Sequence, residues 1–80
     1  MPPDLKRMQP HDNEHEIAGF LRMESLSPQR TKDERIAALR ALGGYLDDAA
    51  TVSFLKQESM SAQRSLEEKL AIFQALGTGF

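Results

Sequence analysis

Phe20-Leu21-Arg22-Met23-Glu24-Ser25-Leu26-Ser27-Pro28-Gln29-Arg30 is very nearly written a second time, 34 residues later, as Phe54-Leu55-Lys56-Gln57-Glu58-Ser59-Met60-Ser61-Ala62-Gln63-Arg64. The match continues from Glu34, Ala37, Ala41, Leu42 and Gly43 onto Glu68, Ala71, Ala75, Leu76 and Gly77. A fixed period of this length marks stacked supersecondary units, each of which buries apolar surface mainly against its neighbour. The repeat speaks to architecture more than to activity.

Working outward from the repeated string, four helical stretches emerge. The first runs from about Asn13 to Leu26, with Asp12 or Asn13 as its cap and Ile17, Phe20, Leu21 and Glu24 at helical spacing. Ser27-Pro28 ends it, because a residue before proline disfavours the helical region. Thr31-Lys32-Asp33-Glu34 has the form of a capping box, and the helix it opens is expected to close on Gly43-Gly44. Ser65-Leu66-Glu67-Glu68 repeats that box, with Gly77 as the expected C-cap. Between them a third helix spans about Asp48 to Ser59, with Val52, Phe54 and Leu55 on its apolar side. Ile36, Leu39, Leu42 and Leu46 form a stripe that Leu70, Phe73 and Leu76 repeat, while Ala37, Ala38, Ala41, Ala71 and Ala75 let a neighbouring helix approach closely. No run of β-branched residues alternates with polar ones, so no strand is expected. The expectation is an all-α fold: four helices as two α-α hairpin repeats, arranged as a short HEAT-like solenoid or a compact four-helix bundle. Residues 12–46 form unit 1 and residues 47–80 unit 2 of a single domain. Residues 1–11, with Pro2, Pro3 and Pro10, read as a flexible or extended arm.

Eighty residues make one domain at most, with a core that is marginal unless helix packing is close to ideal or a partner contributes. There is no cysteine, which removes disulfides and thiolate metal sites and suits a reducing compartment. Ten Lys and Arg against twelve Asp and Glu give a formal charge of -2 with the signs interleaved, which disfavours a nucleic-acid backbone as the main partner. The start of the chain has no apolar run of the length a signal peptide or membrane span needs, so a soluble, cytoplasmic protein without membrane association is expected.

Glu34-Arg35-Ile36-Ala37-Ala38-Leu39-Arg40-Ala41-Leu42-Gly43, followed by Asp48-Ala49-Ala50-Thr51-Val52-Ser53-Phe54-Leu55, resembles the HEAT-like repeats of the phycobilisome-lyase type. In that family the second helix of a unit starts near an Arg and ends in Ala-Leu-Gly, and an Asp opens the next unit. The likeness recurs more weakly from Glu68 to Gly77, where Lys69 stands in place of the Arg, and the connection from Leu55 to Lys69 is longer than in the family. A tetratricopeptide-like unit shares the 34-residue period and is the second choice, but its Trp and Gly-Tyr signposts are not in place.

Arg35 and Lys69 fall inside the apolar arcs of their helices. One reading lays each stem along the core with its head on a carboxylate such as Asp48, Glu24 or Glu58, which resembles the Asp-Arg ladders of HEAT-like stacks; the other makes them cationic anchors for an acidic partner. The doubled Glu-Ser-(Leu/Met)-Ser-(Pro/Ala)-Gln-Arg either ends one helix and starts the next, or presents Gln29, Arg30, Gln63 and Arg64 as a ridge to a partner. His11 and His15 are four apart, as a zinc pair is, but His11 precedes the expected helix start and no third ligand is evident, so no metal site is assigned. No Gly-rich phosphate loop and no nucleophile elbow is present, so no catalytic residue, no cofactor and no small-molecule substrate is assigned, and the chain does not read as an enzyme.

Two repeats fall short of the usual three or so needed for a stable array. The last helix nevertheless carries Leu66, Leu70, Ile72, Phe73 and Leu76, with Phe80 at the end. Burying one such side chain is worth about 1.5–3 kcal/mol, so leaving several in water is costly for so small a domain. Leu66, Leu70, Phe73 and Phe80, with Gln29, Arg30, Gln63 and Arg64, are therefore the candidate partner-binding residues. The expected function is a small helical protein-protein interaction module (an adaptor, chaperone-like factor or regulator) binding a partner protein or forming a homodimer. The alternative is a nucleic-acid-associated regulator using Arg22, Arg30, Arg35, Arg40, Lys56 and Arg64.

Overall fold

A computed structural model describes the backbone of residues 10–78 and the side chains of residues 14–77. The chain is all-α: α1 (Pro10–Leu26), α2 (Lys32–Ala41), a 3-10 turn (Leu42–Tyr45), α3 (Ala49–Ser59) and α4 (Leu66–Thr78), with no strand among the described residues. Helix α1 opens at Pro10, earlier than Asn13, which suits a residue whose missing N–H costs nothing in a first turn. The arm expected over residues 1–11 otherwise lies outside the described residues, as do the side chains of Asp12, Asn13 and His11.

Both capping boxes form. Thr31 Oγ1 accepts from the Glu34 N–H at 3.1 Å while Glu34 Oε1 accepts from the Thr31 N–H at 2.8 Å. Ser65 Oγ accepts from the Glu68 N–H at 3.2 Å and Glu68 Oε1 from the Ser65 N–H at 2.8 Å. Asp48 caps α3 by accepting from the Ala50 N–H at 3.2 Å.

The glycines do other work than expected. Gly43 sits within the 3-10 turn, α4 runs through Gly77 to Thr78, and no described glycine has positive φ, so neither is a left-handed cap. Gly43 is favoured by proximity: a Cβ there would lie 3.1 Å from the carbonyl oxygen of Ala75 and 3.2 Å from its Cα, closer than a comfortable contact. Unit 2 thus presses its last helix directly onto the backbone of unit 1.

Three bonds fix how the units sit. Lys32 Nζ donates to Glu67 Oε1 at 2.9 Å, Arg35 Nε to Glu68 Oε2 at 3.1 Å and Arg40 Nε to Gln74 Oε1 at 3.3 Å. The sequence separations are 35, 33 and 34, so α2 and α4 lie side by side, parallel and in register by one repeat. An up-down bundle would put its second and fourth helices on a diagonal. The arrangement is therefore a two-unit stack.

Its core is thin. Ala18, Leu39, Leu42, Leu55, Ala71, Ile72 and Ala75 form the buried cluster, and three of these seven are alanines. Leu21, Ile36, Tyr45, Leu46, Phe54 and Leu76 pack against it while partly exposed. Two expectations change here. On α1 the inward side is Ala18, Leu21 and Ser25, while Ile17 and Phe20 face outward. On α4 the inward stripe is Ala71, Ile72 and Ala75, so Ile72 belongs to the core, and Leu70 and Phe73 do not reproduce the burial of Ile36 and Leu39. The reason is the parallel stack: the face that unit 1 turns toward unit 2 is the face that unit 2 turns outward.

Candidate interaction surfaces

The two repeated loops are locally alike. Ser25 Oγ donates to the Arg22 carbonyl at 2.8 Å and Ser59 Oγ to the Lys56 carbonyl at 2.7 Å. The Gln29 N–H donates to Ser27 Oγ at 3.2 Å and the Gln63 N–H to Ser61 Oγ at 3.1 Å. Arg30 pairs with Glu24, and Arg64 Nε with Glu58 Oε1 at 2.8 Å. These are serine-stabilised turns that stop one helix and launch the next.

Burial separates them. The Arg64 side chain is 5% exposed and that of Arg30 47%. Arg64 crosses the junction and donates through Nη1 to the Ser25 carbonyl at 2.7 Å, satisfying an acceptor in the last turn of α1. Its Nη1 also lies 3.7 Å from Glu68 Oε2, the oxygen that takes Arg35 Nε. Arg35 Nη1 donates to the Arg30 carbonyl at 2.6 Å. The head of Arg35 therefore rests on Glu68, and not on Asp48, Glu24 or Glu58. Asp48 instead receives Arg22 Nη1 at 3.0 Å and Thr51 Oγ1 at 3.1 Å, with His15 Nδ1 3.7 Å away. Lys69, half-buried, has no carboxylate within 4.0 Å among the described residues, so it does not repeat the pairing of Arg35.

The expectation that Gln29, Arg30, Gln63 and Arg64 form one exposed ridge thus needs correction. Gln29, Arg30 and Gln63 are exposed, but Arg64 is committed to the junction. Arg64 Nη2 is buried without a hydrogen-bond partner, beside an open cleft of about 430 Å³ lined by Ser25, Leu26, Pro28, Gln63 and the ionic network. Glu68, the centre of that network, was visible in the sequence only as a capping-box residue. Its second role depends on the stack.

Burial would push the Glu68 carboxyl up, but the Ser65 N–H and the guanidiniums of Arg35 and Arg64 outweigh it and hold the group below its usual range. Asp48 behaves likewise: burial opposes ionisation, and hydrogen bonds from Arg22, Thr51 and the Ala50 N–H prevail. Both act as fixed negative charges that receive cations from unit 1.

The apolar candidates lie at the other side of unit 2. Leu66, Leu70 and Phe73, at i, i+4 and i+7 on α4, are exposed, whereas Phe80 lies outside the described residues. A second patch, not singled out from the sequence, runs along α1 as Ile17, Phe20, Met23 and Leu26. Its three-residue spacing was the available signal, but the alternation of Leu21 and Phe20 hid which side faces inward. Among the described residues no group of three His, Cys, Asp or Glu side chains is placed to hold a metal ion. No helix there is long and apolar enough to cross a membrane.

Comparison with known proteins finds no matching family model, no similar curated protein and no similar solved structure.

Proposed function

We propose that this chain is a small helical interaction module, an adaptor or regulator, that binds a protein partner or a second copy of itself through helix surface its own fold leaves uncovered. One observation carries the reading. Leu39 in unit 1 is fully buried, whereas Phe73, its equivalent in unit 2, is 55% exposed. Leu66 and Leu70 extend that surface along α4 in a domain whose buried cluster is nearly half alanine. Large apolar side chains grouped on one helix face, in a domain with so little core, favour a binding role over an isolated existence. The HEAT-like resemblance and a cytoplasmic location belong to the same proposal, the latter motivated by the cysteine-free composition.

The nucleic-acid reading has less to stand on. Arg22, Arg35 and Arg64 are each held by a carboxylate, and Arg30 is paired with Glu24, so the cations do not form a free stripe for phosphates. No catalytic role, cofactor or metal is proposed.

The test compares immobilised wild-type chain with a Phe73→Asp variant for retention of a specific, identifiable protein, alongside dye binding and solution mass. Retention and dye binding should both fall in the variant. A wild-type chain that binds no hydrophobic dye, retains nothing and stays monomeric at every concentration would overturn the module reading.

A further inference from the structure

We infer that the partner is a second copy of this chain, docked head to tail, so that the outer face of unit 2 in one copy receives unit 1 of the next copy in the way unit 1 receives unit 2 within the chain. The inference rests on the interaction-module reading and specifies its partner. Its warrant is the internal junction. The 34-residue equivalence allows every contact across that junction to be rewritten for the two outer faces, and most of the rewritten pairs are complementary.

Within the chain Arg35 donates to Glu68. The equivalent pair between copies is Lys69 on the outer side of unit 2 against Glu34 of unit 1, again a cation and a carboxylate. Arg22 meets Asp48 within the chain, and the rewritten pair is Lys56 with Glu14. Arg40 donates to Gln74 within the chain, and the equivalent places Gln74 of one copy against Arg40 of the other, extending a contact both side chains already make within their own copy. Arg64 satisfies the Ser25 carbonyl, and Arg30 would do the same for the Ser59 carbonyl of a neighbour. The backbone approach is retained too. Gly43 faces Ala75 within the chain, and the outer faces offer Gly77 and Ala41. A Cβ on Gly77 would meet nothing within 4 Å, so the place a helix could press against is open.

Burial agrees with this pairing residue by residue. Ala71, Ala75 and Glu68 of unit 2 are buried at the junction, and their equivalents Ala37, Ala41 and Glu34 are exposed. Leu39 is buried by unit 2, and its equivalent Phe73 is exposed. Beside Ala37 and Ala38 lies an open groove of about 290 Å³, also lined by Phe20, Leu21, Glu24 and Arg30, which the outer face of α4 would fill. Three pairs are not reproduced: Arg22 with Thr51 becomes Lys56 with Ile17, His15 with Asp48 becomes Ala49 with Glu14, and Lys32 with Glu67 becomes Leu66 with Asp33, the last an exposed ion pair of little energetic weight. Such a contact uses two different patches, so it is heterologous and builds open chains or closed rings, not a symmetric dimer.

The experiment is sedimentation velocity and light scattering on the full chain over a dilution series, with Ala41→Glu and Phe73→Asp variants. Both sites are exposed, so circular dichroism should match the wild type; Ala37→Glu and Gly77→Gln test the same two faces at neighbouring positions should either variant misfold. The wild-type mass should rise with concentration past the dimer. Each variant alone should associate at least tenfold more weakly. Their equimolar mixture should give a one-to-one heterodimer, because the first variant keeps an intact α4 face and the second an intact unit 1 face. A wild-type chain monomeric at all concentrations, a dimer that Ala41→Glu leaves unchanged, or a mixture that restores nothing would overturn head-to-tail docking. If the chain is monomeric yet captures a different protein in a Phe73-dependent way, the head-to-tail contact fails and the module reading stands. If self-association and capture are both absent, both fail.

Discussion

Arg30 and Arg64 sit in loops of nearly the same sequence and the same local hydrogen bonding, yet one side chain is half in water and the other is sealed in a junction. The difference owes nothing to the residues around each in the chain. It arises because Arg64 has α1 of the preceding unit in front of it, whose Ser25 carbonyl it satisfies, while Arg30 faces solvent. The same local structure is thus a surface loop in one place and a keystone in the other. Charge on an exposed, paired guanidinium contributes little, whereas a buried one holds acceptors that are themselves largely buried.

Truncation of the two arginines should separate the two loops most. Arg64→Ala would leave the Ser25 carbonyl and the largely buried Glu58 carboxylate without their partner, while Glu68 keeps Arg35 and the Ser65 N–H; the cost is on the order of 3–5 kcal/mol, as loss of one partner of a buried pair is. Arg30→Ala should cost no more than about 1 kcal/mol. Urea melts of the two variants should differ by several kcal/mol; comparable losses would mean that the junction contributes no more than the surface.

Substituting the repeated glycines sharpens the contrast at the backbone. Gly43→Ala inserts a methyl 3.1 Å from the Ala75 carbonyl oxygen, so the units must separate slightly, at a cost of about 1–3 kcal/mol. Gly77→Ala meets open space within α4 and should stabilise the monomer by about 0.5–1 kcal/mol through helix propensity. Thermal melts at low concentration should therefore move in opposite directions, and movement in the same direction would contradict the close approach.

The smallest expected effect is a dependence on acidity. Because the Glu68 carboxyl is held below its ordinary value of 4.5, its contribution to stability is complete above that pH and fades as pH falls through the lower folded value. The stability gap between wild type and Glu68→Gln should accordingly be constant near neutrality and narrow below about pH 4.5. The corresponding gap for Glu34→Gln, whose lowered carboxyl is held chiefly by the Thr31 N–H in open solvent, should be smaller throughout.

Helix existence and the positions of both capping boxes were legible because they depend on residues three or four apart. So were the stop of α1 before Ser27-Pro28 and the extent of the third helix from about Asp48 to Ser59. The inward faces were less so: on α1 Ala18 and Ser25 displaced the larger Ile17 and Phe20, since a close-packed stack selects small residues at its crossings over the most hydrophobic ones. The surface candidates divided in the same manner. Exposure of Leu66, Leu70 and Phe73 followed from a last helix with more apolar residues than one neighbour can cover, while the α1 patch and the burial of Arg64 depended on which neighbour each side meets.

By itself, then, the amino-acid order determined a duplicated helical hairpin, its caps and its turns, all of them local matters of backbone hydrogen bonding. Only the tertiary structure decided that α2 and α4 run parallel in register, that Gly43 serves a close approach, and that Glu68 gathers two arginines. Nearly identical loops cannot by themselves encode the different environments of Arg30 and Arg64. The asymmetry enters when one copy stacks on the other and leaves two unlike faces, one on each outer side of the stack.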